Sequence, residues 1–326
     1  MLTYIVMTLC VVLITLACML VFGARPAPPP LESMTNSASS MNLINLPPLS
    51  AIKNKHGKLI AYRSYTVSEP QKLAIMLHGS AMESRTLHGV ARYLQAHNIA
   101  SFVPDIRGHG ATGTLGDIDY VGQLEDDLEN LLAYLKNEHP QTSCILLGFS
   151  AGGGFALRVA SSHLGKLFDQ YVLLAPLLHH SKQTSKNTVT TWAQPFLPRL
   201  IALTMLDFLG LSWFQSLPVM AFAIPHKNGN HALTYTPTYS YKLQKNFRPQ
   251  ANWQKCVKNI TRPLTVIIGQ EDELFLADQY QQVLTSLNPS IQVRLLPGLG
   301  HAALCREKVA LQEIVNTIHT DVVNQA

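Results

Sequence analysis

The sequence predicts an α/β protein in which a mostly parallel, doubly wound sheet carries a helical insertion and follows an N-terminal membrane helix. Short apolar runs typical of strands alternate with segments of helical periodicity along most of the chain. This alternation indicates parallel strands joined by crossover helices. It stops between about residues 177 and 250, and residues 2–24 contain no charged side chain.

Length and composition limit the class of protein. The 326 residues suffice for one large α/β domain with an insertion, or for two domains of modest size. Charged residues make up 14% of the chain, against about 25% in an average globular protein, and this deficit favours a membrane segment. The net charge of +5 is small, and the lysine and arginine residues are scattered. We therefore expect no nucleic-acid partner.

The first element is the uncharged segment of residues 2–24, whose length suits a single membrane-spanning helix. No basic residue precedes it, and its apolar stretch is longer than the roughly 7–15 residues of a secretory signal, so an uncleaved anchor is favoured. The alternative is cleavage before Ala24, which would give a secreted or periplasmic protein. Arg25 is the only nearby cation and leaves the side of the membrane open.

Residues 25–48 are rich in proline, serine and asparagine and predict an extended, partly stiff linker. The core is predicted to follow in two parts, residues 49–176 and 251–326. Its strand-like runs lie at residues 59–62, 73–77, 100–103, 144–147, 171–174, 264–268 and 291–296. Helical periodicity is visible at residues 87–94, 121–135, 276–287 and 311–318, and a further helix is expected after Ser150.

Residues 177–250 are predicted to form a helical cap, or lid, because no strand pattern is visible there. Residues 208–225 carry no charge over 18 residues, but Pro218 and the short length argue against a second membrane span. We expect a mobile cap whose apolar face lines an acyl pocket or touches lipid. A plain buried cap core fits the pattern equally well.

The most informative motif is Gly-Phe-Ser-Ala-Gly at residues 148–152, which follows a strand-like run and precedes a helical segment. This is the context of a nucleophile elbow, a sharp turn that presents a serine hydroxyl at its tip. Gly148 and Gly152 remove side chains that would obstruct such a strained turn. Ser150 is therefore the candidate nucleophile, with a glycine-rich turn before a helix as the alternative.

A serine nucleophile needs a base to take its proton and an acid to fix the tautomer of that base. Asp272 follows the sixth strand-like run and His301 follows the seventh. Both therefore lie at the carboxyl ends of strands, the edge at which Ser150 is presented. His301 is the candidate base and Asp272 the candidate acid, with Glu271 and Glu273 as competitors.

The negative charge of a tetrahedral intermediate requires fixed N–H donors. We expect these to be the amides of Ala151 and of Ser80, because Gly79 lets the loop after the second strand-like run turn tightly. The alternative is that His78 and Gly79 form a simple turn. His109 follows an early strand and precedes the nucleophile in the chain, so we interpret it as structural.

Cysteine and histidine positions predict no metal site. The five cysteines have neither disulfide-framework nor C-x-x-C spacing, and Cys256 and Cys305 are the only plausible pair. The 13 histidines are dispersed, and the adjacent His179 and His180 would need further ligands.

Five motifs occur in a fixed order along the chain. They are His-Gly-Ser at 78–80, Asp-Ile-Arg-Gly-His-Gly at 105–110, Gly-Phe-Ser-Ala-Gly at 148–152, Gly-Gln-Glu-Asp at 269–272 and Gly-His at 300–301. This set resembles the α/β-hydrolase superfamily, in particular its monoacylglycerol lipase, lysophospholipase and serine aminopeptidase-like branch. The resemblance covers residue 59 to the C-terminus apart from the cap. It implies a triad of Ser150, Asp272 and His301, with oxyanion amides at Ser80 and Ala151.

The sequence therefore predicts a membrane-anchored serine hydrolase of the α/β-hydrolase fold that cleaves carboxylic esters. The apolar cap and the anchor favour lipid-like acyl substrates. The mechanism would be a Ser-His-Asp triad with an acyl-enzyme and no metal or organic cofactor. A peptidase or amidase of the same branch is the first alternative and a non-catalytic binding protein the second. The oligomeric state and the natural substrate are left open.

Overall fold

The computed structural model describes residues 1–30, 41–179, 183–224 and 233–320. Its strands are β1 (Ser50–Lys53), β2 (Leu59–Tyr65), β3 (Lys72–Leu77), β4 (Ile99–Pro104), β5 (Ser143–Phe149), β6 (Gln170–Leu174), β7 (Ala193–Pro195), β8 (Pro218–Phe222), β9 (Thr238–Ser240), β10 (Leu264–Gly269) and β11 (Gln292–Leu296). Its helices are α1 (Leu2–Phe22), α2 (His88–Ala96), α3 (Gln123–Glu138), α4 (Ala151–Ala160), α5 (Val189–Trp192), α6 (Leu197–Phe208), α7 (Tyr241–Phe247), α8 (Trp253–Lys258), α9 (Ala277–Leu287) and α10 (Lys308–Thr320). His180 lies outside the described residues.

The central sheet is mostly parallel, as predicted. Among the described residues its eight strands follow the order β1-β2-β4-β3-β5-β6-β10-β11. Strands β4, β3, β5, β6, β10 and β11 run parallel, whereas β1 and β2 pair antiparallel with their neighbours. Strand β1 was not predicted, because three of its four residues are exposed and it has no apolar pattern to recognise.

The strands in the middle of the sheet form the centre of the core. Every residue of β3, β4, β6 and β10 is buried, as expected for parallel strands covered on both faces. Ser150 follows β5 directly, Asp272 follows β10, and His301 follows β11. Because these three strands are parallel, the loops that carry the three residues meet at one edge of the sheet.

The inserted segment contains helices α5, α6 and α7 together with a three-stranded antiparallel sheet in the order β7-β8-β9. The expectation that residues 177–250 contain no strand was therefore wrong. Strands β7 and β9 span only three residues each, and β8 lies within an uncharged run, so none shows an alternating pattern. These three strands make up the second sheet.

The segment of residues 208–225 does not form a second membrane helix within the residues that the structure describes. Helix α6 ends at Phe208, and strand β8 begins at Pro218; Pro225 lies outside the described residues. Helix α1, with 21 residues, is the one described helix that is long and apolar enough to cross a membrane. All five cysteines are free thiols, so Cys256 and Cys305 do not pair.

Candidate active site

The Ser150 turn has the backbone strain that a nucleophile elbow requires. Ser150 has φ of 55° and ψ of −117°, a conformation that residues with a side chain rarely adopt. Its N–H donates to the carbonyl of Leu174 at 2.9 Å, and its carbonyl accepts from the N–H groups of Gly154 and Leu177 at 3.0 and 2.9 Å. Hydrogen bonds on both sides therefore hold the strained turn in place.

The two glycines of the motif are required by space. A Cβ atom on Gly148 would lie 2.4 Å from the carbonyl oxygen of Gly152. A Cβ atom on Gly152 would lie 2.4 Å from the carbonyl oxygen of His78. Both distances are far below van der Waals contact, so a side chain at Gly148 would clash within the turn itself, and one at Gly152 would push the elbow away from the end of β3. This gives a geometric basis for the glycines singled out in the sequence.

His301 and Asp272 form a buried pair. Nδ1 of His301 lies 2.7 Å from Oδ2 of Asp272, and neither side chain is more than 1% exposed. The other carboxylate oxygen of Asp272 accepts the N–H groups of Leu274 and Phe275, both at 2.8 Å. Because a carboxylate only accepts, Nδ1 carries a proton and Nε2 is left as the basic nitrogen.

Of the three neighbouring carboxylates, Asp272 is the one bonded to the imidazole ring. Glu273 instead accepts the backbone N–H of His301 at 2.8 Å, and Glu271 is exposed. Burial alone lowers the pKa of His301, but the charge and hydrogen bond of Asp272 outweigh it, so the pKa is raised above its usual value. His301 is therefore a stronger base than a free imidazole.

Aromatic packing brings His301 to the elbow. The ring of Phe149, the residue before the candidate nucleophile, lies 4.8 Å from the His301 ring between centroids. Phe275 packs edge-on against the other side at 5.2 Å. Within the described residues Ser150 and His301 are not hydrogen-bonded; such bonds in free enzymes often tighten only when substrate binds.

The two expected oxyanion donors lie beside Ser150. Ala151 is the first residue of α4, where a backbone N–H has no partner within the helix. Ser80, Ser150 and Ala151 line the same small cavity, and an added Cβ on Gly79 would lie 3.3 Å from Cβ of Ser150. The structure thus brings the five predicted site residues together at one edge of the sheet.

The loop that carries Ser80 is held by the inserted segment, a feature that the sequence did not reveal. The Tyr239 hydroxyl accepts the N–H of Ala81 at 2.7 Å, and the Ala81 carbonyl accepts the N–H of Thr236 at 3.0 Å. The Glu83 carboxylate accepts the N–H of Thr234 at 2.9 Å. The Ser80 hydroxyl also accepts a long hydrogen bond, 3.4 Å, from the indole of Trp192.

His78 and His109 have their ring nitrogens occupied in the interior. Nε2 of His78 accepts the N–H of Ile106 at 3.0 Å, and its Nδ1 donates to the Gly79 carbonyl at 2.9 Å. Nε2 of His109 accepts the hydroxyl of Tyr239 at 2.6 Å, and its Nδ1 lies 3.1 Å from the Ile106 carbonyl. Burial lowers the pKa of both histidines. Their contacts are those of neutral structural residues.

The cavity at Ser150 is small and mainly apolar, with a volume of about 50 Å³. The inserted segment supplies most of its apolar wall, namely Trp192, Met220, Phe222, Tyr239 and Phe247. A larger cavity of about 320 Å³ lies on the far side of Phe149, against Ala302 and Cys305. Ser150 does not line this larger cavity, so we assign the chemistry to the smaller one. The described residues contain no group of three or more side chains suited to holding a metal ion.

Comparison with proteins of known sequence finds partial relatives, among them a bacterial lipase and a fungal methylesterase. A monoacylglycerol lipase from Mycolicibacterium smegmatis is 28% identical over 128 residues, which are 38% of this chain and 44% of the lipase. Protein phosphatase methylesterase 1 from Candida albicans is 26% identical over 106 residues, 32% of this chain and 29% of the esterase. The matched part spans less than half the length of either relative.

Comparison with solved structures supports the fold. A soluble variant of monoglyceride lipase from Saccharomyces cerevisiae, in complex with a substrate analogue, has a TM-score of 0.63 at 18% identity, covering 84% of this chain and 93% of that one. A bacterial membrane phospholipase A has a TM-score of 0.59 at 14% identity over 100% of both chains. The model of the serine aminopeptidase S33 family matches residues 68–308. Because this match spans well over half of the chain, the protein belongs to that family, a branch of the α/β-hydrolases.

Proposed function

We propose that the protein is a membrane-anchored serine hydrolase that cleaves carboxylic esters of lipid-like acyl chains. The observation that carries this proposal is the buried His301–Asp272 pair at 2.7 Å, packed through Phe149 against the elbow that presents Ser150. A base, an acid that orients it, and a strained serine at one sheet edge are the parts needed for acyl transfer.

In the proposed mechanism the Ser150 hydroxyl attacks the ester carbonyl while Nε2 of His301 takes its proton. The N–H groups of Ser80 and Ala151 donate to the oxyanion of the tetrahedral intermediate. His301 then gives the proton to the departing alcohol, which leaves an acyl group on Ser150. Water then attacks the acyl group while His301 takes its proton, and His301 returns that proton to the Ser150 oxygen as the acid leaves. Asp272 holds the imidazole and stabilises its protonated form throughout.

The lining of the cavity favours an apolar acyl group over an aminoacyl group. An aminopeptidase must recognise a positively charged substrate amine, which calls for acidic side chains near the nucleophile. None of the described residues that line the cavity is acidic, and its one charged residue is Arg248. The names of the lipase relative and of the lipase and phospholipase structures agree with this preference. We therefore place the peptidase or amidase second.

The anchor is the other part of the proposal. Helix α1 has 21 residues, contains no charged side chain, and has no fully buried residue. An isolated apolar helix of this length is stable in a bilayer, because its backbone groups are satisfied internally and its side chains suit the hydrocarbon. Cleavage before Ala24 is the alternative, and N-terminal sequencing of the mature protein from native membranes decides between the two.

Fluorophosphonate labelling of the full-length protein tests the catalytic proposal. We expect the probe on Ser150 and hydrolysis of p-nitrophenyl esters, with both lost in Ser150→Ala. The matched control is Ser286→Ala, on the exposed face of α9, which should keep both. Labelling that persists in Ser150→Ala would contradict the proposal. A preference for aminoacyl amides over acyl esters would favour the peptidase instead.

A further inference from the structure

The end of the anchor helix is bound by an arginine of the cap. Nε and Nη2 of Arg199, near the start of α6, donate to the carbonyls of Leu20 and Val21 at 2.7 and 3.2 Å. Its Nη1 donates to the carbonyl of Pro218 at 3.0 Å. The last carbonyls of a helix lack partners within it and carry partial negative charge, so a guanidinium is well suited to this position.

Close backbone contact reinforces this junction. A Cβ atom on Gly23 would lie 2.7 Å from the backbone nitrogen of Arg199, so α1 and α6 meet where there is no room for a side chain. Leu16, Met19 and Leu20 lie on one face of α1 and are its half-buried residues. Leu20 packs against a small apolar cluster that includes Leu203 of α6. The cap is thus fixed to the end of the anchor.

The other side of α6 and the loop after it carry exposed apolar side chains, which together we call the cap face. Its residues are Leu197, Ile201, Met205, Phe208, Leu209 and Trp213, with exposures between 48% and 91%. The first three lie four residues apart and so share one side of the helix. Both charged residues of α6 point elsewhere: Arg199 binds α1, and Asp207 binds Lys245 at 2.6 Å.

We propose that the cap face lies in the lipid surface that α1 enters, so that anchor and cap form one membrane-binding unit. This inference rests on the proposed anchoring through α1. The position of the cap face indicates that it contacts the lipid boundary. Helix α6 is attached at the last turn of α1, which is where a spanning helix leaves the hydrocarbon. Exposed leucine, phenylalanine and tryptophan side chains without a charge among them suit the headgroup and acyl boundary, and clustered exposed apolar side chains mark interaction surfaces.

The cap face is joined through the chain to the wall of the Ser150 cavity. Helix α6 connects β7 to β8, and these strands supply Ala193, Met220 and Phe222 to the wall of the Ser150 cavity. The segment that contacts lipid on one side therefore covers the nucleophile on the other.

Trp213 provides a direct test in the full-length protein reconstituted in phosphatidylcholine vesicles. The chain has three tryptophans; Trp192 and Trp253 are each 5% exposed, whereas Trp213 is 80% exposed. We expect lipids brominated near the top of the acyl chain to quench about a third or more of the emission, and Trp213→Tyr to abolish most of that quenching. Equal quenching in the two proteins would overturn the proposal. Trp213 emission protected from both bromolipid and iodide would indicate a second protein copy on the face, and would also overturn it.

A second measurement compares substrates. We expect Ile201→Glu/Phe208→Glu to lower hydrolysis of a monoacylglycerol presented in vesicles at least fivefold and to leave hydrolysis of soluble p-nitrophenyl butyrate unchanged. The control is Val309→Glu, at a 63% exposed apolar position outside the cap, which should change neither. An equal rate on vesicles would contradict the inference.

The outcomes also distinguish failure of this inference from failure of the proposed catalysis or of the proposed anchoring. If the unmodified protein is not labelled by fluorophosphonate at Ser150, the proposed catalysis fails, whether or not bromolipids quench Trp213. Failure of the protein to float with vesicles would show that the anchoring fails. A labelled, vesicle-bound protein whose Trp213 is unquenched would reject the cap face alone.

Discussion

The hydroxyl of Tyr239 lies 2.7 Å from the backbone nitrogen of Ala81, the residue that follows Ser80. Ala81 has φ of 61°, so this hydrogen bond also holds an unfavourable backbone conformation. Burial raises the pKa of Tyr239, which keeps its proton and can donate it to His109. With the Ala81 N–H bonded to Tyr239, the N–H of Ser80 is the loop amide assigned to the oxyanion.

We expect Tyr239→Phe to lower kcat about tenfold while KM changes little, because a buried unsatisfied N–H costs about 1–3 kcal/mol and shifts the loop. Steady-state kinetics with p-nitrophenyl butyrate measure this. Tyr235→Phe, in the same segment, is the matched control. If the two variants have the same kcat, Tyr239 does not position the oxyanion loop.

Asp272→Asn should lower kcat by about four orders of magnitude, because an amide favours the wrong tautomer of the imidazole. Glu273→Gln should have a much smaller effect, since that carboxylate contacts the backbone N–H of His301 and not its ring. Comparing the two in single-turnover assays assigns the acid. A larger loss in Glu273→Gln would transfer the role to Glu273.

The pH dependence follows from the raised pKa of His301. Only the neutral imidazole accepts a proton, so kcat/KM should rise with pH through a midpoint above about 6.5, the usual histidine value. A profile of kcat/KM from pH 5 to 9 measures the midpoint. In Asp272→Asn the charge that raises the pKa of His301 is gone. The midpoint of any residual activity should therefore lie at a lower pH than in the unmodified protein. A midpoint below 6.5 in the unmodified protein would contradict the buried ion pair.

Stability should fall below about pH 6.5, since burial lowers the pKa of both His78 and His109. The unfolded chain then binds protons that the folded chain does not, at a cost of up to about 1.4 kcal/mol per pH unit for each site. His301 has the opposite shift, and its contribution is constant below 6.5. Urea unfolding at pH 6.5 and 5.5 measures how much the free energy of unfolding falls with pH. His109→Gln should reduce that fall by about the contribution of one histidine. An unchanged fall in that variant would show that His109 does not remain neutral.

Gly148→Ala should destabilise the protein by about 1–3 kcal/mol and abolish probe labelling, because the new methyl group meets the Gly152 carbonyl. Gly57→Ala, at a position with φ of 74° and no atom within 4 Å of the added Cβ, controls for backbone strain without a steric clash and away from the elbow. Thermal unfolding and fluorophosphonate labelling report the two effects. Normal labelling of Gly148→Ala would show that the elbow can relax.

Sequence reasoning located the core strands and the elbow because both have local signals: apolar runs for the strands, and glycines around Ser150 for the turn. It named Asp272 as the candidate acid but left Glu271 and Glu273 as competitors, since only the fold shows which carboxylate reaches the imidazole. Tyr239 gave no signal, because its partner His109 is 130 residues away in the chain. The short strands β7 and β9 are set by pairing within the cap rather than by their own pattern.

The bond between Arg199 and the end of α1 has a consequence for biosynthesis. A protease that removed residues 1–23 would take away two of the three carbonyls that the guanidinium contacts, leaving it with the Pro218 carbonyl and with water. The lost hydrogen bonds and the lost packing of Leu20 against the cap would make the processed chain less stable than the intact one. In this arrangement the proposed anchor would stabilise the cap as well as hold the protein at the membrane, and its removal would loosen α6.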